Sequence, residues 1–369
     1  MTKHVTFPDL PETLARAVEN EDRTVAKTVL SPLGLDRRRV LIVGGAGYIG
    51  IPLSQHLLEQ GFDVRVRDLL LYENHGPVAG FLGHPGYEFM AGDLCDGAVR
   101  DMALDGVSDV IVLAGLVGDP ITKAYPQEHA AINEDGLARF VDALDGRGLN
   151  KVVFVSTCSN YGEIPVDTTA DEGFELKPLS LYAKAKVARE QQLLALGNRA
   201  DFCGVVLRFA TAFGLSGRMR FDLTVSEFTR DLHAGIKLEV YDADTWRPYC
   251  HVRDFARALH RVLAFPRDIV GFEVFNAGGD VNNYTKKMIV DAIQDQVKTG
   301  EVAYVAGGAD RRNYRVDFGK IRKALHFEPA FTVPDGVREL ALALDQGFFA
   351  DFAARLDFYR NNTISYPRD

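Results

Sequence analysis

Residues Val40 to Gly50 read Val-Leu-Ile-Val-Gly-Gly-Ala-Gly-Tyr-Ile-Gly, and no other stretch constrains the fold as tightly. Val40 to Val43 is a short continuous apolar run, the pattern of a strand buried on both faces of a parallel sheet. Gly44, Gly47 and Gly50 follow, and Tyr48 to Gln60 then carries Ile49, Leu53 and Leu57 on one helical face before Gly61. A strand that turns on glycine into a helix presents free N–H groups and a positive dipole end, and a pyrophosphate suits both. The last glycine lets helix and strand pack closely. A glycine pattern alone is weak, because any tight strand–helix turn needs glycine. Here the next expected strand, Phe62 to Arg67, ends in Asp68, 24 residues after Gly44. An acid there is placed to bond both ribose hydroxyls and to repel a 2′-phosphate, which favours NAD over NADP. Arg65 and Arg67 lie beside it and weigh the other way.

The rest of the chain repeats the alternation. Tyr87 to Met90, Val107 to Ala114, Lys151 to Ser156 and Cys203 to Arg208 are expected strands. Pro126 to Gly146 and Pro178 to Leu196 are expected helices. Strands alternating with helices predict an α/β fold, a doubly wound parallel Rossmann sheet with right-handed crossovers. Beyond about residue 210 the pattern loosens. Leu223 to Ala234 reads as a helix and Leu238 to Tyr241 as short and extended, so a smaller C-terminal substrate-binding lobe is expected over the cofactor. The expected division is an N-terminal extension at 1–38, a dinucleotide-binding domain at 39–210 and the lobe at 211–369. Some of 240–278, Phe272 to Phe275 above all, should return to the main sheet. Within the extension, Leu10 to Asn20 could form a short helix.

Composition narrows the partners. The net charge of −9 argues against nucleic acid and anionic membranes, so an anionic substrate must be held by local arginines. The absence of an 18-residue apolar run argues against a membrane span, and the acidic N-terminus does not resemble a signal peptide. Four scattered cysteines without a C-x-x-C suit a reducing cytoplasm and predict neither disulfides nor a metal site.

Tyr182 and Lys186 stand four apart on the expected helix, which places both on one face. A free tyrosine titrates near pH 10, too high for a base at neutrality. A neighbouring ammonium and a nicotinium charge should stabilise the phenolate and lower that value. Tyr182 could then exchange a proton with a substrate hydroxyl while hydride moves to or from the nicotinamide. Thr157, at the end of the fifth strand, can hold the reacting oxygen or merely stabilise its turn. Cys158 has no base near it in sequence and reads as a packing residue. Asp93, at the exit of the third strand, can reach an adenine amino group or cap the following turn.

Taken together, these motifs resemble the extended short-chain dehydrogenase/reductases of the nucleotide-sugar epimerase/dehydratase family, and the UDP-glucose 4-epimerases within it. The resemblance covers about 38–335. It rests on the glycine turn, Asp68, Asp93, Leu113-Ala-Gly-Leu116, Asn133, Ser156-Thr-x-x-x-Tyr161-Gly162, Tyr182-x-x-x-Lys186, Leu207-Arg208-Phe209 and Arg247-Pro-Tyr-Cys-His-Val-Arg-Asp254. It implies Tyr182, Lys186 and Thr157 as the catalytic set. Gly44, Gly47, Tyr48, Ile49, Gly50, Asp68, Asp93, Leu94, Leu113, Ala114, Gly115 and Asn133 would join Tyr182 and Lys186 around NAD. Asn133 would support the active-site helix as well. The substrate, a nucleotide-diphosphate sugar, would meet Thr157, Thr211, Arg220, Arg247 and Arg312. Arg218 is a further candidate, and the bland alternative for Arg311 and Arg312 is a solvated pair. A homodimer through the helices at 126–146 and 178–196 is also implied.

The departures from the family sharpen the expected activity. The 4,6-dehydratases resemble one another in an Asp-Glu pair after the catalytic threonine, and decarboxylating members keep the Glu. Here Cys158 and Ser159 stand in those places. Epimerases at C4 resemble this chain more closely, needing only tyrosine, a serine or threonine and a tightly held NAD. The usual Asn after the sixth strand is Thr211, and a Lys often found after the fourth is Val117. The expectation is an NAD-dependent C4 epimerase of a nucleotide sugar, proceeding through a 4-keto intermediate. A 4-keto-sugar reductase or dehydratase of the same family is the alternative among enzymes. A non-catalytic NAD-binding regulator is the alternative of another class. Neither base, sugar nor pathway is named by the sequence.

Overall fold

A computed structural model describes residues 38–165, 167–297, 300–308 and 310–366. The N-terminal extension before residue 38, with the expected helix Leu10–Asn20, lies outside them. Seven parallel strands form the central sheet: β1 Arg39–Val43, β2 Asp63–Asp68, β3 Tyr87–Ala91, β4 Asp109–Val112, β5 Lys151–Thr157, β6 Cys203–Phe209 and β7 Glu273–Ala277. Their order is β7-β6-β5-β4-β1-β2-β3. The order reverses between β1 and β4, and a crevice opens there beyond the carboxyl ends of the strands.

Side chains of β1 explain the unbroken apolar run. Val40 and Ile42 join a core on one face of the sheet with Leu53 and Leu57 of α1, Gly50–Glu59. Leu41 and Val43 join a second core on the other face with Phe140 and Leu193. Neighbours alternate faces along a strand, so both sets are apolar only because both faces are covered. All seven residues of β5 and of β6 are buried. Among the described residues no helix is long and apolar enough to cross a membrane.

Two helices depart from expectation. The helix expected from Pro178 opens at Leu181, because the Ser180 hydroxyl accepts the Ala183 N–H at 3.2 Å and caps it. It runs to Leu196 and is named α2. The stretch expected as one helix over 126–146 is helical at Pro126–His129, widens to a π-helix over Ala130–Gly136 and returns to α-helix over Leu137–Asp142. Gly136 is tightly packed, since a Cβ there would lie 2.3 Å from Cys95 Sγ. Wide turns of this kind often accompany functional sites.

Outside the sheet, Thr211–Phe213, Trp246–His251 and Asn283–Thr285 form a three-stranded sheet, and Leu238–Tyr241 pairs with Val302–Val305. Helices Thr224–His233, Lys286–Gln294 and Val333–Asp345 pack around them on a separate apolar core.

A buried polar network fastens α2 to the sheet. Arg208 of β6 grips Glu190 of α2 with Nη2–Oε2 at 2.9 Å and Nε–Oε2 at 3.1 Å. The same carboxylate accepts the Ser156 hydroxyl and Asn160 Nδ2, the latter at 2.7 Å. Removing one member of a buried ion pair leaves the other charge uncompensated. Glu190→Gln should therefore lower unfolding free energy by about 3–5 kcal/mol, read by denaturant titration.

Candidate functional site

The glycine turn shapes one wall of the crevice. Gly44 has φ +84°, and a Cβ on it would sit 2.8 Å from the Ala114 backbone, so both its conformation and its neighbour require glycine. A Cβ on Gly50 would collide with the Gly45 backbone at 2.3 Å, which is the close helix–strand packing expected of the last glycine. Gly47 differs, for a Cβ there would approach protein only at Gly44 O, 3.4 Å away. Its other side borders the cavity, so the space beside it is left for a ligand. No side chain caps the start of α1. Helix-start N–H groups without such a cap are available to an anion.

The cavity has a volume of about 480 Å³ and joins this turn to the loops after β2, β4, β5 and β6. Of the residues expected around a dinucleotide, Gly44, Gly47, Tyr48, Ile49, Gly50, Asp68, Leu94, Leu113, Ala114, Gly115, Tyr182 and Lys186 line it. The Asp68 carboxylate accepts the N–H groups of Ala46 at 3.0 Å and Leu70 at 2.8 Å, which fixes its position below the turn. Burial pushes this carboxyl upward, and those N–H groups oppose the push. A carboxylate retains further acceptor positions for ribose hydroxyls. The uncapped turn, the free space at Gly47 and the anchored acid fit a bound dinucleotide.

Two of the expected cofactor residues stand back from the cavity wall. Asn133, in the π-helical turn, bonds Leu116 on both sides: Leu116 N–H donates to Oδ1 at 2.8 Å and Nδ2 donates to Leu116 O at 2.9 Å. It thus holds the loop after β4 in place. Asp93 is arranged as the turn-capping alternative expects. Its carboxylate accepts the Cys95 N–H at 2.8 Å and the Tyr366 hydroxyl at 2.7 Å, so it caps its own turn and ties down a distant segment.

At the other end, Tyr182 and Lys186 face the cavity from α2, and Thr157 faces it from the end of β5. Lys186 Nζ donates to Val155 O at 2.8 Å and lies 5.9 Å from the centre of the Tyr182 ring. Burial lowers the Lys186 ammonium to about 8. Burial also pushes the Tyr182 phenol above its ordinary value, against the lowering expected from Lys186 and a bound nicotinium. Low dielectric disfavours both charged forms, so here the phenol keeps its proton. Thr157 Oγ1 accepts the Ser159 N–H at 3.1 Å, leaving its own O–H to donate. Cys158 points away: its thiol donates to Arg208 O at 3.2 Å and burial pushes it far up, consistent with a packing role.

Thr211, Arg218, Arg220, Arg247 and Arg312 all reach the cavity. Asp310 organises two of the arginines, taking Arg312 Nε at 2.8 Å and Arg247 Nη2 at 3.1 Å. Against the cost of burial, these guanidinium groups hold its carboxyl well below the usual range. Arg312 also meets Asp119 at 3.4 Å. Arg220 pairs with Asp222, and Arg218 stacks over the Tyr72 ring at 4.7 Å. Arg311 is turned to solvent against Glu163. The lining residues Lys286, Asn361 and Asn362 were not anticipated, since they come from segments carrying no motif. Among the described residues no His/Cys/Asp/Glu group could hold a metal ion.

Because Gly47 has room for a Cβ within the protein, Gly47→Ala should change unfolding free energy by no more than about 1 kcal/mol. It should weaken NAD binding at least roughly tenfold, equivalent to 1.4 kcal/mol, as measured by titration calorimetry.

Comparison with known proteins agrees with this geometry. The sequence profile of the NAD dependent epimerase/dehydratase family matches residues 40–278. The chain is 29% identical over 309 residues to low-salt glycan biosynthesis protein Agl12 of Haloferax volcanii, covering 81% of this chain and 96% of that protein. It is also 29% identical over 309 residues to a dTDP-glucose 4,6-dehydratase of Streptomyces griseus, covering 81% and 91%. In fold it is similar to UDP-glucuronic acid 4-epimerase from Bacillus cereus, solved with UDP-glucuronic acid and NAD, with TM-score 0.75, 22% identity and coverage of 84% and 99%. A match across well over half of the chain settles the kinship: this protein is a member of the NAD dependent epimerase/dehydratase family.

Proposed function

We propose that the protein is an NAD-dependent nucleotide-sugar epimerase, acting at C4 through a transient 4-keto sugar. One observation carries this choice over dehydration, which some relatives perform. Beyond Thr157, where elimination would need an acid and a base, the cavity wall presents Ser159, while Cys158 is turned into the core. The other carboxylates on the wall are engaged: Asp119 and Asp310 with arginines, Asp222 with Arg220, and Asp68 with backbone N–H groups. Tyr182 is thus the group best placed to exchange a proton at the sugar.

In this proposal the segments after residue 210 that lie outside the sheet form the substrate lobe. On this side of the cavity Arg218, Arg220, Arg247, Lys286 and Arg312 outnumber Asp222 and Asp310 of the lobe and Asp119 opposite, so a nucleotide diphosphate meets a net positive wall within an acidic protein. Guanidinium groups suit its phosphate oxygens. Thr157 donates its hydroxyl to the 4-oxygen, and Tyr182 takes the proton from that oxygen. To accept that proton Tyr182 must first be a phenolate, so its own proton leaves to solvent beforehand, with the Lys186 ammonium and the positive nicotinamide of NAD, when bound, stabilising the anion. NAD, when bound, supplies the hydride acceptor and donor. The 4-keto sugar then turns its other face, and Tyr182 returns the proton. Two chains would pair through α2 and the helices at 126–142.

The direct test uses purified protein without added cofactor. Denatured protein should release stoichiometric NAD, and native protein should interconvert two nucleotide sugars by NMR with no net change at 340 nm. Activity only on 4-keto sugars with added NADH or NADPH would overturn the proposal.

Two further outcomes follow. Tyr182→Phe should fold and bind NAD yet lose roughly 100-fold to 10,000-fold in turnover, the range for a lost acid/base. Lys186 titrates at about 8 when folded and near 10.4 in an unfolded chain. Between these values the unfolded chain binds more protons, so the Lys186 contribution to stability should rise with pH from about 8 to about 10.4. Lys186→Met should remove this slope in denaturant titrations across that range while abolishing turnover.

A further inference from the structure

The chain beyond Phe358 returns to the crevice. Phe358 and Tyr359 are buried against Tyr48 of the glycine turn and against Phe221, whose N–H donates to Tyr359 O at 2.8 Å. The next seven residues, Arg360–Tyr366, run on without helix or strand. Side chains and backbone from the crevice rim hold them at successive points. Arg218 Nη2 donates to Arg360 O at 3.2 Å, and the Asn361 N–H donates to Asp222 Oδ2 at 3.3 Å. Ile364 and Tyr366 then pack with Leu71 and Tyr72 of the loop after β2, Leu116 of the loop after β4 and Ile121 of the helix Asp119–Ala124. At the far end the Tyr366 hydroxyl donates to Asp93, beyond β3.

This strap therefore crosses from the arginine side of the crevice to the outer edge of the sheet. Arg218, which holds Arg360, also stacks over Tyr72 and faces Asp68 at the end of β2, so the strap begins beside the acid expected to take the adenosine ribose of a dinucleotide. Asn361 is the point of contact. Its side chain is 8% exposed, borders the cavity, and leaves Oδ1 without a hydrogen-bond partner. A buried polar atom left unpaired is costly, and a ligand that pairs with the carboxamide relieves the cost. The family profile ends at residue 278, so the strap lies outside the matched stretch.

We propose that Arg360–Tyr366 is a built part of the cofactor site: Asn361 contacts the adenosine half of NAD, and the Tyr366–Asp93 end must lift before the dinucleotide can leave. The consequence is slow cofactor release. The proposal stands on the dinucleotide site and is independent of which sugar reaction follows.

The test is made on the full-length protein without sugar. NADH release is followed by fluorescence after mixing with excess NAD, and affinities for ADP-ribose and nicotinamide mononucleotide are measured by calorimetry. Ile364→Ala with Tyr366→Ala should speed NADH release at least roughly tenfold. Tyr366→Phe, which keeps the packing and removes only the bond to Asp93, should give a smaller rise of about fivefold, as for one hydrogen bond. Asn361→Ala should weaken ADP-ribose at least about fivefold and leave nicotinamide mononucleotide unchanged. Release within twofold of the unaltered protein in both tyrosine variants, or equal weakening of both fragments by Asn361→Ala, would overturn the proposal.

Discussion

The Arg208–Glu190 pair sets the geometry of the helix that carries Tyr182 and Lys186. Glu190 lies one turn beyond Lys186 and two beyond Tyr182, on the same face of α2. Anchoring Glu190 to β6 therefore aims the other two at the crevice. The same carboxylate holds Ser156 and Asn160, which flank Thr157, so the end of β5 and this helix share one fixed point. A charge pair this deep is tolerated because hydrogen bonds surround it: Arg208 Nη1 also donates to Tyr161 Oη and Glu172 O, each at 3.1 Å. Cys158 completes the corner by donating to Arg208 O. The cysteine read from the sequence as a packing residue is part of the framework.

Burial then decides how the crevice behaves electrically. The low dielectric raises Tyr182 and lowers Lys186, so the site at rest disfavours both the phenolate and the ammonium. Charge is instead concentrated farther out, where Arg220 pairs with Asp222 while Arg247 and Arg312 share Asp310. These pairs keep the guanidinium groups oriented toward the cavity. In the proposed reaction a diphosphate would enter where the lining leaves a positive excess. In the proposed reaction proton chemistry falls to the tyrosine, because the acids are committed to arginines and backbone.

The two ends of the crevice are built differently. The turn at Gly44–Gly50 is local: its shape follows from three glycines and the packing of α1 on β1. The far side of the adenosine end is assembled from loops after β2, β3 and β4 together with the strap, which has no regular structure of its own. Segments like this are held only by their contacts. Asp93 illustrates the result, since its carboxylate serves the strap and its own turn.

The sequence by itself determined the parallel sheet, the glycine turn, Asp68 and the Tyr182–Lys186 pair, because each is a local pattern. A continuous apolar run, a three-residue glycine spacing and an i, i+4 pair carry their geometry in the spacing alone. The arginines were legible only as candidates. Arg311 and Arg312 are adjacent, and it took the position of Asp310 to turn one inward and leave the other in solvent. Tertiary structure alone decided that Glu190 anchors the helix to Arg208, that Asn133 braces Leu116 from a π-helical turn, and that Asn361 lies beside a turn more than 300 residues earlier. It also set burial against the lowering expected of Tyr182, since burial is a property of the surrounding atoms and not of the neighbours in sequence.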